Sequence, residues 1–125
     1  MTTARGTILT WGGSLSVIPP QSLRRWGDLT SIAVPLGDLS GVIEMTSAGV
    51  LRHLRLRSAA PPLSNQTYEV RVNGVPTALT ATLTVGSTTA TDVNQMVSVN
   101  AGDRVELVMV SGTQGFAIIA SLEFD

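Results

Sequence analysis

From Tyr68 to Val85 the chain reads YEVRVNGVPTALTATLTV, with apolar and polar residues alternating up to Asn73-Gly74 and again beyond it. A period of two sends successive side chains to opposite sides of a sheet, and Asn-Gly is a strong local signal for a two-residue hairpin turn. A type I′ turn there pairs Val72 with Val75, Val70 with Thr77 and Tyr68 with Leu79. Those residues share one face and all but Thr77 are apolar or aromatic, while Glu69, Arg71, Ala78 and Thr80 take the other. Pro76 has no N–H to give, so its end of the second strand belongs at a sheet edge.

The same reading extends along the chain. Strands are predicted at 7–11, 15–18, 31–36, 41–45, 49–58, 67–72, 75–85, 96–99, 104–110 and 116–124. Asn100, Ala101, Gly102 and Asp103 supply the turn of a second hairpin, joining Val97 and Val99 to Val105, Leu107 and Met109. Between the hairpins, GSTTATDVNQ reads as a polar crossover loop. Helix signals are confined to PPQSLRRWGDL, bracketed by Pro and Gly into a turn or two at most. The fold class expected is all-β: an antiparallel two-sheet sandwich or jelly roll of about eight core strands, with little or no helix. Residues 1–30 are expected as an N-terminal arm or peripheral segment and 31–125 as the β-sandwich, a single domain overall.

Composition adds a constraint on surface. Charged residues make up 14% of the chain and mean hydropathy is +0.29. An average soluble domain carries about 25% charge. A surface so poor in charge implies an obligate oligomer or a part of a larger assembly. A chain of 125 residues without cysteine builds its core without disulfides and has no thiolate ligand or nucleophile. The formal charge of −1 gives no basic field for a nucleic acid duplex. No apolar run approaches the roughly 20 residues that cross a bilayer, and the opening MTTARGTILTWGG lacks the apolar core of a signal peptide. All eight basic residues are arginine, the side chain suited to fixed, two-pronged interface pairs.

Candidate chemistry is sparse. His53, in VLRHLRLRS, is expected to share a strand face with Arg55 and Arg57, a basic stripe able to meet acidic groups of a partner. As a base it would need a nucleophile and an orienting carboxylate, and the spacing supplies neither. GGSLS and TSAGV lack the G-x-S-x-G frame, the carboxylates are scattered, and no phosphate loop or metal-ligand cluster appears. The expectation is a protein that is not an enzyme, with no cofactor and no metal. Trp11 and Trp26 read either as exposed interface anchors or as core covers. With Arg24, Arg25, His53, Arg55 and Arg57 they are the candidate partner-binding residues.

From Gly49 onward the order of signals resembles a family of small β-sandwich proteins of tailed bacteriophages. The resemblance lies in GVLRHLRLRSAAPPLSNQTYEVRVNGVPTALTATLTV, a Thr/Ser loop, VSVNAGDRVELVMV and a closing IIASLEF strand. It implies a jelly roll that serves as a capsid decoration (cement) protein or as the receptor- or carbohydrate-binding head of a virion fibre. Such proteins are often trimeric and similar in shape to tumour necrosis factor-like jelly rolls. The expected partners are therefore sister copies in a homotrimer and the major capsid protein, with no nucleic acid and no membrane. The expected location is the capsid surface of the virion after synthesis in the host cytoplasm.

Overall fold

Val, Thr, Ile and Leu fit a pleated surface well, and they fill most strands of the computed structural model, which describes residues 7–14, 21–22, 24–25, 41–112 and 117–125. The strands are β1 (Thr7–Ser14), β2 (Gln21–Ser22), β3 (Arg24–Arg25), β4 (Ile43–Glu44), β5 (Gly49–Ser58), β6 (Gln66–Val72), β7 (Val75–Leu83), β8 (Thr89–Val99), β9 (Arg104–Ser111) and β10 (Ala117–Phe124). Sheet A has the order β3-β1-β10-β5-β8; sheet B has β2-β9-β6-β7, with β4 also on β9. Every pairing is antiparallel. Leaving aside β2 and β3, each sheet contributes four strands, the eight-stranded sandwich expected. No helix occurs among the described residues, and the described part of PPQSLRRWGDL forms β2 and β3 instead.

The core lies between the sheets. Leu9, Trp11, Leu51, Leu54, Leu56, Ile118, Ala120, Leu122 and Phe124 meet Tyr68, Val70, Leu79, Ala81, Leu83, Val105, Leu107 and Met109. Full burial of an aliphatic or aromatic side chain of this size stabilises by roughly 1.5–3 kcal/mol. β10 shows the predicted alternation, with Ile118, Ala120, Leu122 and Phe124 inside and Ile119 exposed. β9 does not alternate, because Glu106 and Val108 on its other side are buried as well. The Tyr68 hydroxyl donates to Gln66 Oε1 at 2.8 Å, and burial pushes its phenol well above the ordinary range.

Asn73 and Gly74, at φ 53 and 79, make the predicted turn, and β7 lies at the edge of sheet B as Pro76 requires. Val72 pairs Val75 as expected, but Tyr68 pairs Ala81 and not Leu79. The register slips because one residue of β6, Val70, faces three of β7, Thr77 to Leu79. Thr77 fills the bulge: its hydroxyl donates to the Val70 carbonyl at 2.6 Å and accepts from the Leu79 N–H at 3.3 Å. A slip of two leaves the faces unchanged, so Tyr68, Val70 and Leu79 remain in the core.

Two expectations fail beyond this hairpin. The polar run 86–95 is mostly strand, since β8 begins at Thr89. An edge strand with solvent on its outer face needs no apolar alternation there, and threonine is a good strand former. The second hairpin is not a hairpin: β8 pairs β5 in sheet A and β9 pairs β6 in sheet B. The turn at 100–103 instead carries the chain from one sheet to the other. It is locked to the first turn by Asn73 Nδ2 donating to Asp103 Oδ1 at 3.0 Å and by the Arg104 N–H donating to Asn73 Oδ1 at 3.0 Å.

Within the span expected as a peripheral arm, residues 7–14 form β1 between β3 and β10, and Leu9 and Trp11 join the core. The predicted strands at 15–18 and 31–36 lie outside the described residues.

Candidate functional site

Strand register lays out the outward face of sheet A in three cross-strand rows. The first runs Ile8, Glu123, Arg52, Met96; the second Thr10, Ser121, Arg55, Thr91; the third Gly12, Ile119, Arg57, Thr89. The β1–β10 half is uncharged apart from Glu123, and it presents Ile8 at 51% and Ile119 at 49% exposure. The β5–β8 half is basic and carries Met96 at 64% exposure.

A β-bulge concentrates that basic charge. Between Arg52 and Leu54 the pairing of β5 shifts against both neighbours, leaving His53 at φ 54. Left-handed backbone of this kind is uncommon outside glycine, and histidine is among the residues that tolerate it. The bulge keeps both Leu51 and Leu54 in the core, although strict alternation would turn one of them outward. Arg52 and His53 then both reach the carboxylates at the end of β10. His53 Nδ1 lies 2.6 Å from Glu123 Oε2. An ionised carboxylate only accepts, so this ring nitrogen carries the proton. Arg52 donates to Asp125 Oδ2 at 2.7 Å, and its Nε stands 3.7 Å from Glu123, an ion-pair distance without a hydrogen bond.

Arg55 and Arg57 point outward two residues apart, exposed, and no described carboxylate pairs with either. They flank a groove of about 220 Å³ lined also by Leu56, Thr89, Thr91, Ile119 and Ser121. On sheet B the cation of Arg71 is already held by Glu69 at 2.8 Å.

The candidate partner-binding residues thus separate. His53, Arg55 and Arg57 share the outer face as expected, with Arg52 added by the bulge. Trp11 is fully buried, and its indole N–H donates to the Gly41 carbonyl at 2.9 Å, so it is a core side chain and not an exposed anchor. Arg24 and Arg25 form β3, opposite Gly12 and Trp11 of β1. Trp26 lies outside the described residues. Sequence reading missed Arg52, Glu123 and Asp125 as a cluster. A signal existed in LRHL, where two polar residues separate leucines that both face inward.

Fold and topology define the class: an all-β jelly-roll sandwich domain. Among solved structures it is similar to the globular domain of a zebrafish complement 1qA protein, with TM-score 0.55, 10% identity and 96% of each chain covered. A CBM35 from Cellvibrio japonicus aligns at TM-score 0.45 and 19% identity over 99% of this chain and 69% of the other. One from Paenibacillus barcinonensis aligns at TM-score 0.46 and 15% identity, over 96% and 98%. No family model matches the chain, and no curated protein matches it by sequence.

Proposed function

We propose that this chain is a structural virion protein: a decoration, or cement, subunit that binds the outer surface of a tailed-phage capsid as a homotrimer and stabilises it. The observation that carries the reading is the β1–β10 half of sheet A, whose one charge is Glu123, already engaged by His53, and where Ile8 and Ile119 stand half exposed beside Thr10, Gly12 and Ser121. In a chain with 14% charged residues this patch is a natural mating surface for sister subunits. Covering the exposed half of an isoleucine contributes on the order of 1 kcal/mol, and contacts repeated over a shell add through multivalency. The resemblance to phage β-sandwich proteins from Gly49 onward supports the setting on a capsid, with the major capsid protein as partner. Particles carrying this protein rupture at a higher temperature than particles stripped of it; equal rupture temperatures would contradict the reading.

The alternative is a receptor- or carbohydrate-binding head of a virion fibre, and one end of the sandwich favours it. There Leu63 and Val85 stand exposed on neighbouring loops, tied by the Val85 N–H donating to Asn65 Oδ1 at 3.0 Å. Sugar stacking finds less support, because Trp11, Tyr68 and Phe124, the aromatic side chains among the described residues, are buried. Whole-cell pull-down that Leu63→Glu abolishes would favour the fibre head over the cement protein.

A further inference from the structure

We propose that Arg55, Arg57, Thr89 and Thr91 form a docking groove for an extended acidic segment of another protein, one with carboxylates on alternate residues. Arg55 and Arg57 are successive outward residues of β5, so they are spaced about 7 Å apart along the strand. Alternate side chains of an extended peptide have the same spacing, and each guanidinium offers a planar fork that fits a carboxylate. Register places Thr91 opposite Arg55 and Thr89 opposite Arg57, so a hydroxyl donor borders each cation. Leu56, Ile119 and Ser121 complete the lining of the groove.

Charge accounting selects the occupant. Glu69 is held by Arg71, Glu123 by His53 and Asp125 by Arg52. Asp92 and Asp103 accept from backbone N–H groups, and Glu106 is buried and partnered. Among the described residues that leaves Glu44 as the uncommitted carboxylate against two uncommitted arginines. An acidic segment of a different protein supplies both charges. Both arginines stand on β5, outside the β1–β10 patch, although Ile119 and Ser121 belong to both surfaces; peptide binding by the arginines therefore tests the groove separately from the capsid reading.

The test is fluorescence anisotropy on the full chain with a labelled peptide of alternating aspartate and threonine, its asparagine counterpart and a labelled sulfated polysaccharide. The acidic peptide binds and the asparagine peptide does not. Arg55→Gln and Arg57→Gln each weaken binding about fivefold, a pair energy near the upper end for exposed contacts, and the double variant loses it. Arg104→Gln, exposed on β9 in the other sheet, changes nothing. An unchanged unfolding midpoint shows that the variants are folded. Absence of peptide binding, binding undiminished in the double variant, or preference for the polysaccharide would each overturn the proposal.

Discussion

His53 holds a left-handed backbone, φ 54, while its ring is engaged by Glu123. Such a conformation costs of order 1–3 kcal/mol in a non-glycine residue, most where Cβ is branched. His53→Val is expected to destabilise the fold by about that amount in urea unfolding, and Asn in its place by less, because asparagine tolerates this backbone. Equal stability of the valine variant would mean the bulge is not held as described. Asp103 provides a pH test. The Asn100 N–H at 2.7 Å, then the Asn73 amide, hold its carboxyl below the usual range. A lowered folded pKa gives stability that is present above the unfolded value, about 3.9, and lost as pH falls through the folded one. Wild type should therefore exceed Asp103→Asn in stability at pH 7, with the gap closing below about pH 4; a gap independent of pH would contradict this. Asn73 and Asp103 were legible as turn residues from their own chemistry. Trp11 was not assignable, because a lone tryptophan serves core and interface equally well, and only the partner of its indole N–H decides.

Both edge strands that face one another across the open side of the sandwich bulge. On β7 three residues face one of β6, and on β8 Val93 to Gln95 face His53 alone. Asp92 ties the two edges together. Its Oδ1 accepts from the Asn94 and Gln95 N–H groups at 3.0 and 3.1 Å, and its Oδ2 accepts from the Thr80 N–H of β7 at 3.2 Å. Bulged edges resist pairing with stray strands, so this clasp protects two edges at once. Asp92→Ala is expected to cost about 1–2 kcal/mol, since charge-assisted bonds are lost, and to speed amide exchange at Thr80, Asn94 and Gln95. Unchanged exchange at those amides would dismiss the clasp. The β6–β7 hairpin was readable because turn chemistry and alternation are both local. The β8 strand was not, since its threonines and amides carry no apolar period. Nor does the turn at 100–103 reveal that its flanking strands belong to different sheets, which is decided by long-range pairing with β5 and β6.

At the scale of the whole molecule, sheet A presents two unlike halves side by side. Ile8 and Ile119 mark the apolar one, with Glu123 as its one charge; Arg52, His53, Arg55 and Arg57 mark the basic one. Composition alone pointed to covered surface, because 14% charge leaves little to keep a monomer apart from its neighbours. It did not say which face carries the exposed apolar side chains, as that follows from how β1 and β10 pair. Self-association through the β1–β10 half is the central claim, and the mass of the protein in solution tests it most directly. Light scattering should give three times the 13.1 kDa of one chain for wild type, and one chain for the Ile8→Glu, Ile119→Glu double variant. A wild-type mass of a single chain across the accessible concentration range would contradict the account.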